Sequence, residues 1–167
     1  MKLESMQDLF VLGLKHMYDC EQKLVKKGLP AMIKASQSAE LRTALEQHLR
    51  ETETHVQRLE RVFGALGETP DTKDNDVFDE MSNETEDMIS ATEASALRDA
   101  ALIACGNEVE HYEMAVYGSL ISWGEQLGLD EAVTMLESTL EEEKAADAKL
   151  TQIGEQSVNR EAGLRAA

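Results

Sequence analysis

The chain has 167 residues, of which 42% are hydrophobic and only 4% aromatic, and its formal charge is −17. That length suits one domain with a continuous core, which the scarcity of aromatics makes aliphatic. The charge excludes nucleic acid and anionic membrane surfaces as partners; no run of 18 apolar residues offers a span, and "MKLESMQDLF" has no apolar signal segment, so a cytoplasmic protein is expected.

Two prolines against abundant Ala, Leu, Glu and Lys predict an all-α chain. Ser5 with Asp8 resembles a capping box opening a first helix over about 6–27. Gly28 and Pro30 interrupt it, "PAMIKA" resumes it for a turn or two, and "SQS" at 36–38 is the reversal. A second helix runs from about Ala39 to Leu66 and stops at Gly67. "GETPDTKDND" reads as a loop, and "VFDEMSNETEDMISAT" as a short acidic helix across one side. A third helix is predicted from about Ala96 to Leu127, ending at Gly128, and a fourth from about Asp130 to Gln156. One domain over 1–156 follows, with a flexible tail over 157–167. Two short-looped pairs of long helices joined by one long crossover have the connectivity of a ferritin-like four-helix bundle. Cys20 and Cys105 form no CxxC and read as buried thiols of a reducing compartment.

Every long helix carries acid on its apolar stripe. The stripes are Leu14, Tyr18, Glu21 and Leu24 or Val25; Leu45, His48, Glu51, His55 and Leu59; Leu102, Val109, Glu113, Val116 and Leu120; and Leu136, Leu140, Glu143, Asp147 and Leu150. Glu110 lies one turn before Glu113. In an antiparallel pair, residues equidistant from the turn share a level. Glu21 and Glu51 centre on position 36, and Glu113 and Glu143 on Gly128. All four therefore stand roughly 22 Å from their turns at 1.5 Å per residue. A shift of 92 positions also maps Glu21 to Glu113, Glu51 to Glu143 and His55 to Asp147, a weak internal repeat.

Four ionised carboxylates cannot share a dry interior, because desolvation and mutual repulsion oppose their charge. A pair of divalent cations removes that cost. Carboxylate oxygens with one or two imidazoles suit two iron ions, or manganese, better than zinc. Glu51 with Glu113 or Glu143 are the candidate bridges, and Glu21, His55, Glu110 and Asp147 the terminal ligands. His48 is either a ligand or a donor behind one, and Tyr18 and Tyr112 lie beside the carboxylate level. The "EVEH" run, Glu108 to His111, spells a ligand motif, but both residues point away from the core, and His111 reads as a surface residue. No catalytic residue is assigned. Alanine at Glu51 is expected to remove most of the metal.

"YDCEQKL", "HLRETETHVQRLERVF", "VEHYEMAVYGSL" and "LEEEKAADAKL" resemble the four helix motifs of the bacterial YciE/YciF-like ferritin-like family, over residues 1–156. The resemblance implies a ferritin-like helical domain, a homodimer, a di-iron centre and an association with stress responses. The more distant rubrerythrin-like pattern has an ExxE on its third helix, which "EHYE" resembles. Its fourth helix carries ExxxH, where this chain has Glu143 and Asp147. The E-x-x-H usual on a ferritin-like second helix is absent, since position 54 is Thr. Oxidation of Fe(II) or turnover of a peroxide is the expected reaction class. The alternative is a helical dimerisation or interaction module without catalysis, metal-stabilised or metal-free. No Gly-rich phosphate loop, Ser/His/Asp arrangement or basic patch is present.

Overall fold

In a computed structural model describing residues 2–164, the chain forms α1 (Met6–Lys23), a π-helical turn (Leu24–Gly28), α2 (Leu29–Ala35), α3 (Ala39–Ala65), α4 (Asp76–Ala91), α5 (Ala96–Gln126), α6 (Asp130–Ile153), a second π turn (Gly154–Val158) and α7 (Asn159–Leu164). Short polar side chains start three of these helices. Ser5, Ser38 and Asn75 accept the N–H groups of Asp8, Leu41 and Phe78, each satisfying an otherwise orphaned donor. Glycine stops two of them. Gly67 and Gly128 take φ of 71° and 69°, and the N–H groups of Glu68 and Leu129 reach back to the carbonyls of Phe63 and Gly124.

Two stretches depart from the expected boundaries. Gly28 and Pro30 do not break the first rod. The Leu29 N–H bonds the Leu24 carbonyl across a wide turn, and Pro30 falls in the first turn of α2, where a missing N–H costs nothing. The stretch expected to be a free tail from 157 is helical to Leu164, because Ile153 and Val158 extend the buried stripe against α5. Residues 165–167 of that tail lie outside the described residues.

α1 packs on α3 and α5, and α6 packs on the same two, so α1 and α6 face each other diagonally across a four-helix bundle. The core between them is Phe10, Leu14, Met17, Leu41, Leu45, Leu59, Leu102, Leu120, Leu136 and their neighbours, all aliphatic apart from a few rings. Asp99 of α5 pins the first reversal, its buried carboxylate accepting the Gln37 and Ser38 N–H groups at 2.8 and 2.7 Å. Asn75 anchors the crossover. Its N–H donates to Asp19 and its amide to the His16 carbonyl and the Tyr112 hydroxyl. α4, the short acidic helix expected to lie across one side, packs on α5. Among the described residues no helix is long and apolar enough to cross a membrane.

Candidate metal centre

The inward face of α3 advances in alternating steps of four and three: Leu41, Leu45, His48, Thr52, His55, Leu59, Val62. At 100° per residue, Thr52 and His55 stay near the line through His48, whereas Glu51 falls some 60° to its flank. The bundle interior therefore receives both imidazoles of "HLRETETH". Glu51 stays half exposed, 3.9 Å from His48 Nδ1, with Gln47 donating to it at 2.9 Å. Facing helices bring Glu21, Glu110, Glu113 and Glu143 to the same level, each buried.

Two groups of ligand atoms result, with every atom within 4.8 Å of the others in its group. One comprises His48, Glu110, Glu113 and Glu143; the other comprises Glu21, His55 and Glu143. Glu143 belongs to both. His48 Nε2 stands 3.1 Å from Glu110, and His55 Nδ1 stands 3.1 Å from Glu143 and 3.5 Å from Glu21. Close approach is not pairing here. Glu21 Oε2, Glu110 Oε2, Glu113 Oε2, both Glu143 oxygens, His48 Nδ1 and His55 Nδ1 are all buried without a hydrogen-bond partner. Such groups cost free energy unless something satisfies them. Convergent oxygens that only accept, with imidazole nitrogens among them, are the donor set of a hard cation. These buried groups could hold metal.

The electrostatics point the same way. Burial, then the charges of Glu143, Glu21 and Glu110, hold the Glu113 carboxyl well above its usual range. Burial likewise lifts Glu143 to about 7, against the pull of His55. Burial alone would lower the pKa of His55, but Glu21 and Glu143 outweigh it and raise the group to about 10. Protons compensate the charge here as far as protons can.

The partners behind these two groups are more specific than the sequence suggested. His55 turns its Nε2 to Glu142 at 2.9 Å, and Glu142 is held by Arg58, which also donates to Thr139. With Nε2 so engaged, Nδ1 is the nitrogen turned to the interior, and a cation that displaced its proton would meet its lone pair, the carboxylate–histidine arrangement that orients metal-binding imidazoles. The Tyr117 hydroxyl donates to Glu21, and the Cys20 thiol lies 3.6 Å from Glu113. Tyr117 sits four residues after Glu113, a step that holds the same face, and the sequence reading took half-buried Val116 at that turn instead; Glu142 and Arg58 lie off the stripes and gave no signal. Replacing Glu142 with Gln leaves packing intact and weakens the orientation of His55. The expected fall in metal affinity is about 10- to 100-fold, read by competition with a chromophoric chelator.

Other expected residues sit elsewhere. Asp147 is half buried, engaged by Asn107 at 2.6 Å and lying 3.2 Å from His111, and it joins neither group. Tyr18 donates to Glu60 at 2.9 Å, and Tyr112 accepts from Asn75, so neither hydroxyl bonds a carboxylate of the two groups. Glu108 and His111 are exposed. Cys20 and Cys105 are buried and free.

A family model described as "Domain of unknown function (DUF892)" matches residues 5–163. Protein YciF of Escherichia coli (strain K12) is 36% identical over 167 residues, covering 99% of this chain and all of that protein. The crystal structure of the E. coli stress protein YciF superposes with a TM-score of 0.89 at 35% identity, over 94% of this chain and 99% of that one. YcfI, a putative structural protein from Rhodopseudomonas palustris, gives 0.87 at 38% identity, over 90% and 95%.

Proposed function

From the premise that this chain belongs to the DUF892 family, we propose that it is a cytoplasmic ferritin-like protein holding a dinuclear iron centre, with manganese as the other candidate, that oxidises Fe(II) or turns over a peroxide in response to stress. The observation that carries this is the set of buried carboxylate oxygens and imidazole nitrogens without hydrogen-bond partners that four glutamates and two histidines bring together from four long helices. His48, Glu110, Glu113 and Glu143 would hold one ion, and Glu21, His55 and Glu143 the other. Four carboxylates balance the charge of two divalent ions, so filling the centre leaves no net buried charge. A ferrous pair bound there supplies two electrons for reduction of an oxygen species.

The chain's own residues prepare the place. Tyr117 holds one Glu21 oxygen, so the other is left to face inward. Arg58 and Glu142 fix the His55 ring. Leu14, Met17, Leu59 and Leu136 are fully or almost fully buried within the same core, which excludes water. The stress reading rests on the E. coli relative, which is described as a stress protein.

Anaerobic addition of Fe(II) followed by air should produce a near-ultraviolet absorption band of an oxo-bridged ferric pair. Failure to bind iron or manganese would overturn the centre; binding of iron with no change on exposure to air would overturn the reaction. A homodimer belongs to the same reading. Leu9, Leu12, Val116 and Trp123 line a cavity of about 380 Å³ on the α1–α5 face, half-buried apolar side chains that a second copy would cover. Light scattering should give twice the 18.5 kDa chain mass, and Trp123→Glu should return it to one.

A further inference from the structure

The two ends of the centre differ in access. The Glu21–His55 end is shut: both residues are fully buried, with Tyr117 and the Arg58–Glu142 pair closing over them. The other end opens on a groove of about 300 Å³ between α3 and α6, lined at its base by His48 and Glu110. Its walls are Ala44, Leu45, Ala145, Ala146 and Leu150, and its rim carries the Glu40–Lys149 ion pair at 2.8 Å. His48 Nδ1 and Glu110 Oε2 are buried there without a partner.

Size and lining select the occupant. At about 30 Å³ per water the groove holds roughly ten waters, far more than dioxygen or hydrogen peroxide fills, and it reaches the lower bound of small-molecule sites. Small aliphatic side chains favour an apolar body. Lys149 is already paired with Glu40, and Glu51 beside them is left acidic, so anions are repelled and a neutral molecule is preferred. We propose that this groove receives the organic group of an alkyl hydroperoxide, with its O–O end at the His48–Glu110 base. The proposal rests on the metal reading above and narrows its peroxide to an organic one. A ferrous pair held by the residues above would supply one electron each to the O–O bond as it breaks. With two protons taken up, the products would be the alcohol, water and two ferric ions.

The test has a binding arm and a rate arm. The alcohol product of cumene hydroperoxide, 2-phenyl-2-propanol, is titrated into the full-length protein as purified. NMR of ¹³C-methyl alanines should then show shifts at Ala44, Ala145 and Ala146, and Ala146→Leu should abolish them. In the ferrous protein under anaerobic conditions, Ala146→Leu should lower the ratio of the cumene hydroperoxide rate to the hydrogen peroxide rate at least tenfold. Bound metal should be unchanged. Shifts absent or located elsewhere, or a ratio that the variant does not move, would overturn the groove's role. Loss of the metal reading shows separately, as protein that binds no iron yet still gives the alanine shifts.

Discussion

Glu143→Gln is expected to abolish binding of both ions, not of one. Glu143 is the residue common to the two ligand groups, and glutamine keeps its shape while removing one of four charges. With three carboxylates for two divalent ions, an unbalanced charge is left in a closed interior. Leaving a buried charge without its partner costs about 3–5 kcal/mol, so affinity should fall roughly 10²- to 10³-fold or more. Elemental analysis after growth with iron and manganese gives the answer directly. Folding should not suffer, because the lost carboxylate is one that burial already disfavours in its charged form. Glu51→Ala and Asp147→Ala are the contrasting cases. Glu51 lies 3.9 Å behind His48 and Asp147 is engaged by Asn107, so the first should weaken only the His48 end and the second neither. If Glu51→Ala strips both ions while Glu143→Gln retains them, the roles assigned to these two residues are reversed.

That contrast marks where the sequence could be read and where it could not. Four helices, both glycine stops and the meeting of Glu21, Glu113 and Glu143 at one level follow from periodicity and distance to the turns, quantities a sequence carries. Rotation of a helix about its own axis is set by packing. A stripe containing His48, Glu51 and His55 spans about 60°, and neighbouring side chains decide which edge turns inward. Leu41, Leu45, Leu59 and Val62 settled it in favour of Thr52, placing Glu51 at the groove. The same limit broke the repeat, since Glu143 is buried where its counterpart Glu51 is not, and His55 where Asp147 is not. Glu142 was invisible for a related reason: it acts from the flank, across the α3–α6 seam, on a ring that periodicity alone places in the core. Pro30 misled because a π turn, a feature without a compositional signature, absorbed it.

Metal-free protein should lose stability as pH rises, and metal should reverse the trend. Glu113 and Glu143 have folded-state pKa values above the 4.5 of an unfolded glutamate, so the folded state binds more protons as pH climbs from 4.5. The stability this confers is complete below 4.5 and is lost as pH passes about 7 for Glu143. His55 has the same sign: its contribution is complete below 6.5 and is lost through about 10. Ionising a carboxyl lifted from 4.5 to about 7 costs of order 3 kcal/mol, which for a chain of this length is on the order of 5–10 °C in Tm. Calorimetry of chelator-treated protein should therefore give a lower Tm at pH 8.5 than at pH 5.5. The metal-loaded form should not follow it. Cations replace the protons that hold the centre together, so the gap between loaded and metal-free Tm widens as pH rises. Glu113→Gln separates this cause from the chain's overall charge of −17. It removes one buried acid among 33 acidic residues, should raise the metal-free Tm at pH 8.5, and should flatten the slope. A slope unaltered by Glu113→Gln would assign the pH dependence to the surface, and the interior carboxylates would then not be the strained groups the centre requires.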